Sequence, residues 1–306
     1  MNERLPSPRP VPCRLDNLTR AARPLLIGAG ACAFLFGLLL LAAYAWPHAR
    51  WADASALQGF VDLQRPSVNR VAVRVGELGD PREVIAMTLA LAAVALARSR
   101  PRVAVAVLVL VALTSISSQL LKTVLAYPRY DLSGAGVGPA AFPSGHSTAA
   151  MTLAIAGVLV APRRLRPLAA FVGVGFALAV GFSVIALGWH FPSDVAGGFL
   201  LATAWGLVIA AVLRAAAVRL PEGTGRSRGA VMLREAVDRV AAVGLLTAAI
   251  GGLVVAGLVT VVLLLNHMSG LVDYADRHTA FVVVAAALAA GAAGLLGVVT
   301  LALRRR

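Results

Sequence analysis

Apolar segments long enough to cross a lipid bilayer recur along the whole of this chain. A helix needs about 20 mainly apolar residues to span a hydrocarbon core about 30 Å thick. The 306-residue sequence is 59% hydrophobic and only 14% charged, which is not the composition of an ordinary soluble domain. A backbone in lipid must satisfy its own hydrogen bonds, and these segments lack strand-like alternation. The sequence therefore predicts an all-α fold, a polytopic transmembrane helical bundle.

We place eight spanning helices on the sequence, six in an N-terminal core and two at the C-terminal end. Their predicted bounds are 25–46, 84–97, 103–121, 147–161, 168–187, 195–212, 241–265 and 280–303. The predicted division of the chain is a tail at 1–24, a six-helix core at 25–213, a linker at 214–239 and a two-helix appendage at 240–306. The last two helices carry no charge at depth, and we interpret them as a packing surface or as a contact for a homo-oligomer or another partner.

The positive charges are divided unevenly between alternate loops. Of the 28 Lys and Arg residues, 20 lie in the termini and in the loops on the same side as the termini, and 8 lie on the other side. Because Lys and Arg favour the cytoplasmic side, we expect both termini to be cytoplasmic, in an inner or plasma membrane. The net charge of +14 then reflects topology, and no nucleic-acid partner is expected. The external segment 47–81 is semi-apolar and predicts one or two interfacial helices.

Polar and charged residues gather at predicted helix ends on the external face. The third predicted span ends at Lys122, and Arg129 follows in the next loop. The fourth span begins just after 143–146 (Pro-Ser-Gly-His), the fifth ends just before His190, and the sixth begins just after Asp194. Since alternate helix ends share one face of the bilayer, these segments are expected to meet there although they are far apart in sequence.

The cations and the helix start suit the binding of a phosphate group. Lys122 and Arg129 can neutralise a phosphate and the charge of its transition state. Ser144 and Gly145 stand at a helix N-terminus, where free backbone N–H groups and the helix dipole favour an anion.

The histidines suit transfer of that phosphate. Asp194 stands four residues after His190 and can orient its imidazole, which leaves the other ring nitrogen free as a nucleophile or base. His146 can serve as the complementary acid.

Three spaced motifs within residues 115–200 resemble those of the type-2 phosphatidic-acid phosphatase superfamily. That family carries a lysine, six residues and Arg-Pro; then Pro-Ser-Gly-His; then Ser-Arg, five residues, His, three residues and Asp. The residues that match in this sequence are Lys122, Arg129, Pro143, Ser144, Gly145, His146, Ser183, His190 and Asp194.

The resemblance implies hydrolysis of a lipid phosphate without a metal or cofactor, through a phosphohistidine. His190 would attack phosphorus with the help of Asp194, and His146 would protonate the leaving group. The residues expected to bind the substrate phosphate are Lys122, Arg129, Ser144, Gly145 and Ser183. The implied partner is a phosphorylated membrane lipid: phosphatidic acid, phosphatidylglycerol phosphate or a polyprenyl diphosphate.

Two positions depart from the family pattern. Pro128 precedes Arg129 instead of following it, and Val184 stands where the family has an arginine. Loss of one preorganised donor to a transition state typically lowers the rate by about 10²–10³. Two alternatives therefore stay open: a catalytically weak member that binds or helps translocate phosphorylated lipids, and a lipid phosphotransferase.

Overall fold

The computed structural model describes residues 14–129, 132–219 and 228–304, and α-helices are the only regular elements in these ranges. In chain order they are α1 (Arg14–Ala45), α2 (Pro47–Val61), α3 (Pro66–Glu77), α4 (Pro81–Ala97), α5 (Pro101–Val124), α6 (Gly145–Val160), α7 (Arg166–Ala186), α8 (Pro192–Arg219), α9 (Arg228–Arg277) and α10 (Thr279–Arg304). The predicted all-α fold is confirmed. The semi-apolar segment 47–81 forms two helices, α2 and α3, as expected.

Five of the described helices are long and apolar enough to cross a membrane: α1 from Ala22, α5, α7, α8 to Ala217, and α10. The chain is an integral membrane protein. The predicted second and fourth spans correspond to α4 and α6, which have 17 and 16 residues. At 1.5 Å per residue they reach about 24–26 Å, short of a full span. The seventh predicted span falls in α9, where the side chains of 251–269 lie outside the described residues.

Prolines set the boundaries of many of these helices. α2, α3, α4, α5 and α7 each carry proline in the first turn, where the missing N–H has no intrahelical partner to lose. At its other end, α6 stops before Pro162. α6 is therefore short because proline ends it and because its start is fixed at the polar end of the bundle.

α6 lies at the centre of the core, in contact with α4, α5, α7 and α8. The start of α6 approaches α8 very closely. A Cβ added to Gly198 would lie 2.9 Å from the carbonyl oxygen of Ser144 and 2.8 Å from the hydroxyl oxygen of Thr148. The Ser144 N–H also donates to the carbonyl of Asp194, at 2.9 Å. Small residues let helices in membranes approach this closely. Here the approach brings Ser144 and Asp194, which belong to two different sequence motifs, into contact.

The C-terminal helices pack against the core within the described ranges. α10 contacts α2, α7 and α8, and α9 contacts α4 and α7. The Tyr274 hydroxyl donates to the Gly59 carbonyl, and His278 Nε2 lies 3.1 Å from Asp62 Oδ2. Both ends of the predicted linker are helical, 214–219 in α8 and 228–239 in α9, while 220–227 lie outside the described residues.

Replacing Gly198 with alanine is expected to lower the melting temperature of the detergent-purified protein. The new methyl group would meet backbone atoms of α6 below 3.0 Å, and overpacking of this kind typically costs about 1–3 kcal/mol. Gly175→Ala in α7 is the matched control, since its Cβ would meet nothing within 4 Å. An unchanged melting temperature for Gly198→Ala would mean that α6 and α8 do not pack as closely as described.

Candidate active site

The predicted site residues lie at one end of the bundle, on the ends of four core helices. Lys122 is in the last turn of α5, Ser144 caps the start of α6, and Asp194 is in the first turn of α8. His190 lies in the short connection from α7 to α8, and its ring centroid is 6.3 Å from that of His146. Motifs separated by more than 40 residues therefore share one polar cluster.

His190 and Asp194 form a buried pair. The distance from His190 Nδ1 to Asp194 Oδ2 is 3.4 Å, and the two side chains are 8% and 0% exposed. This is an ion-pair approach rather than a formed hydrogen bond, which would be 2.7–3.2 Å long. The same Oδ2 accepts the N–H of Phe191 at 2.9 Å, so the carboxylate is fixed by the backbone beside the imidazole. Catalytic hydrogen bonds are often long before the substrate binds and tighten later.

Arg129 occupies a buried cluster beside this pair. Its guanidinium donates to Asp194, to the Ser193 hydroxyl at 2.8 Å and to Asp53 Oδ2 at 3.4 Å. Its side chain is only 6% exposed, and it lies over the Phe191 ring at 4.1 Å. A buried charge is tolerated when it is paired in this way. Arg129 therefore holds Asp194 in place. Its predicted contact with the substrate phosphate would use the guanidinium N–H groups that these three bonds do not occupy.

Asp53, in α2, is a site residue that the sequence interpretation missed. Its carboxylate accepts hydrogen bonds from the Ser193 N–H, at 2.9 Å, and from the Ser193 hydroxyl. The sequence does carry a signal for it. Ala56, Leu57 and Phe60 follow Asp53 at helical spacing and are buried, so this acid lies on the packed face of an interfacial helix.

Burial raises the pKa of Asp53 from 3.8 to about 6, and the nearby Arg129 charge and the Ser193 hydrogen bonds offset only part of that effect. Asp194 adds to the rise through repulsion between the two carboxylates. Asp53 therefore gains its proton within a pH range that is accessible to experiment.

His146 is held by a second acid that the sequence interpretation missed. Its Nε2 lies 3.0 Å from Asp80 Oδ1, at the turn between α3 and α4. Asp80 is the N-cap residue of α4 but makes no side-chain capping bond, so its carboxylate is available to the histidine. A Cβ on the preceding Gly79 would lie 2.8 Å from His146 Cβ, which shows how closely this turn covers the ring. The Trp189 ring lies on another side, at 5.7 Å.

Ser144, Gly145 and Lys122 meet at the start of α6. The Ser144 hydroxyl accepts the Ser147 N–H at 3.3 Å and is fully buried, so it acts as a helix cap. Lys122 Nζ lies 3.7 Å from the position of a Cβ on Gly145. A lysine beside the N-terminus of a helix, with no side chain between them, offers an anion both a positive charge and free backbone N–H groups.

The α7 side of the site is apolar where the family pattern has a cation. Val184 is fully buried and belongs to the hydrophobic core, while its neighbour Ser183 is partly buried. The structure therefore offers Lys122 and Arg129 as the motif cations, and no arginine enters from the Val184 position.

The fold and this cluster define an integral membrane protein with a His, Asp and Lys site at the ends of apolar helices. A sequence model of the PAP2 superfamily matches residues 103–217 of this chain. The chain is also similar to the crystal structure of the first transmembrane PAP2 type phosphatidylglycerolphosphate phosphatase from Bacillus subtilis. The two are 21% identical, with 60% of this chain and 94% of that chain covered and a TM-score of 0.49. No curated protein matches the chain.

Replacing Asp53 with asparagine is expected to remove part of the pH dependence of stability. Because its pKa of about 6 in the folded protein exceeds 3.8, Asp53 stabilises the fold below about pH 4, and this contribution is lost as the pH rises through 6. The shift corresponds to about 3 kcal/mol. Melting temperatures measured between pH 4 and 7 should therefore fall less with rising pH in Asp53→Asn than in the wild type.

Asp276→Asn is the control for this experiment, since Asp276 is exposed. Its melting curve should follow that of the wild type at every pH. Parallel curves for the wild type and Asp53→Asn would contradict a raised pKa at Asp53.

Proposed function

We propose that this protein hydrolyses the phosphate or diphosphate group of a membrane lipid, without a metal ion, through a phosphohistidine at His190. The observation that carries the proposal is the convergence of His190, Asp194, His146 and Lys122 at one end of the bundle, within the region matched to the PAP2 superfamily. Members of that superfamily are generally phosphatases.

The first step forms the phosphoenzyme. Nδ1 of His190 faces Asp194, which leaves Nε2 as the attacking atom. A bond forms between Nε2 and phosphorus as the bond from phosphorus to the lipid oxygen breaks. His146 gives its proton to that oxygen, while Asp194 stabilises the positive charge that develops on the His190 ring.

The second step releases phosphate. Water attacks phosphorus, the bond to His190 Nε2 breaks, and His146 takes the proton of the attacking water. Lys122 and the N–H groups at the start of α6 stabilise the phosphoryl oxygens in both steps. Each residue returns to its initial protonation state, so the cycle balances.

An apolar cavity supports a lipid substrate over a soluble phosphate ester. The cavity has a volume of about 570 Å³ and lies between α1, α2, α8 and α10. Leucine, alanine and glycine residues dominate its lining, and its polar end is formed by Asp53 and Ser193, which also bind Arg129. An acyl or prenyl chain in this cavity would lie next to the phosphate site.

The charge distribution supports an extracytoplasmic position for the site. The candidate active site lies at the end of the bundle that carries few arginines, and the arginine-rich loops lie at the other end. A site there has access to lipids such as phosphatidic acid, phosphatidylglycerol phosphate or a polyprenyl diphosphate after they reach the outer leaflet.

A weak or inactive lipid-binding member is the second candidate function. It is favoured by the buried Val184 at the position of the family arginine, and by the pairing of Arg129 with two acids. With fewer free cations, the site would bind a lipid phosphate but stabilise its transition state less.

Phosphate release from a panel of lipid phosphates in EDTA tests these functions. The wild-type protein in detergent should release phosphate from at least one lipid, and His190→Ala should release none above background. Release in the wild type alone supports the phosphatase. Absence of release together with retained binding of the lipid would favour the second candidate, and transfer of the phosphoryl group to an added alcohol would reveal a phosphotransferase.

Replacing Asp80 with asparagine is expected to lower kcat on the order of tenfold, because His146 loses the carboxylate that orients its ring. The dependence of kcat on pH should shift as well, since His146 loses a negative charge beside its imidazole. Glu77→Gln is the control, because Glu77 pairs only with the exposed Arg74 among the described contacts. An unchanged kcat and pH profile in Asp80→Asn would exclude a positioning role for Asp80.

A further inference from the structure

A second polar pocket lies at the opposite end of the bundle from the candidate active site. Its volume is about 570 Å³, and its lining contains seven arginines but one acidic residue, Asp238. Asp80 and Arg98 cap the two ends of the 17-residue helix α4, so this arginine pocket and the candidate active site are roughly 25 Å apart. The excess of positive charge indicates an anionic ligand.

Two of these arginines are buried and incompletely satisfied. Arg98 is 2% exposed and lies 2.9 Å from Asp238, and Arg166 is 7% exposed and donates to the Leu303 carbonyl at 2.9 Å. The Nε atoms of both are buried and have no hydrogen-bond partner among the described residues. Guanidinium groups bind phosphate oxygens through several N–H donors at once, so a phosphate group would satisfy what the protein leaves unpaired.

An apolar crevice continues from the arginine pocket into the membrane. This crevice, about 440 Å³ in volume, shares Arg98 with the pocket and runs between α4, α6, α7 and α9. Residues of α4 between Met87 and Arg98 line the crevice at helical spacing, over roughly 16 Å along the helix. A polar pocket joined to an apolar crevice fits an amphiphile with an anionic head group better than a free phosphate ion.

Helix α9 forms one wall of both parts. Arg234 and Asp238 line the arginine pocket, and Gly244 and Leu245, two turns further on, line the crevice. A Cβ on Gly244 would meet nothing within 4 Å, so the crevice is open at this point.

We infer that an anionic phospholipid binds here, with its phosphate among the pocket arginines Arg98, Arg163, Arg166 and Arg234 and one acyl chain in the crevice against α9. The head group lies at the arginine-rich face, which the charge distribution assigns to the cytoplasmic leaflet. This lipid is distinct from the substrate, and the inference does not depend on phosphatase activity.

Binding of vesicle-derived phosphatidylglycerol, measured by native mass spectrometry of the detergent-purified protein, tests the inference. Two double variants carry the same charge change: Arg163→Gln/Arg234→Gln in the arginine pocket, and Arg23→Gln/Arg102→Gln outside it. An arginine near an anionic lipid typically contributes about fivefold in binding. The pocket variant should therefore bind about 25-fold more weakly, and the control variant should bind like the wild type. Equal losses in both variants would overturn the inference, because the attraction would then be general to the basic face.

A third variant separates a lipid from a soluble anion. Gly244→Leu adds a side chain to the wall of the open crevice and leaves every pocket arginine in the sequence, so it should weaken phosphatidylglycerol binding at least tenfold. Inorganic phosphate is the probe for the arginines alone. If Gly244→Leu bound phosphatidylglycerol like the wild type, or if millimolar phosphate bound more tightly than the lipid, the site would be one for a soluble anion and the inference would fail. Phosphatidylcholine, which carries no net charge, should bind weakly to all variants.

Discussion

The guanidinium of Arg129 lies between two buried carboxylates, Asp53 and Asp194, and its positive charge offsets part of the cost of burying them. Removal of one partner from a buried ion pair typically costs about 3–5 kcal/mol. This cluster joins the loop after α5 to the interfacial helix α2 and to the start of α8. It also fixes the carboxylate that faces His190, so the geometry of the candidate active site depends on a structural ion pair.

The central position of α6 is the second constraint on the site. Gly198 allows α8 to touch the backbone at Ser144, and the Ser144 N–H donates to the Asp194 carbonyl. His146, two residues after Ser144, is thereby brought to the same end of the bundle as His190. Residues outside the matched region 103–217 then complete the site, since Asp53 pairs with Arg129 and Asp80 binds His146.

The two ends of the bundle differ in their balance of acidic and basic side chains. At the candidate active site, acids and cations are nearly balanced. Burial opposes the charge of Asp53 there and raises its pKa to about 6. At the other end, arginines exceed acids by a wide margin, and buried Nε atoms at Arg98 and Arg166 are unpaired among the described residues. A balanced cluster positions catalytic groups, whereas an unbalanced one needs an anion from outside the protein.

Apolar length, loop charge and motif spacing are local properties of the chain, so the all-α membrane fold and the residues of the three motifs could be predicted from the sequence. It also indicated that Val184 breaks the pattern. It did not identify Asp53 or Asp80, whose partners lie 76 and 66 residues away, and it did not show that Arg129 is shared by two acids. Nor did it show the arginine pocket, which exists only where α9 closes against α4 and α7. Those features depend on which helix faces come into contact, and contacts between distant helices cannot be read from local sequence patterns.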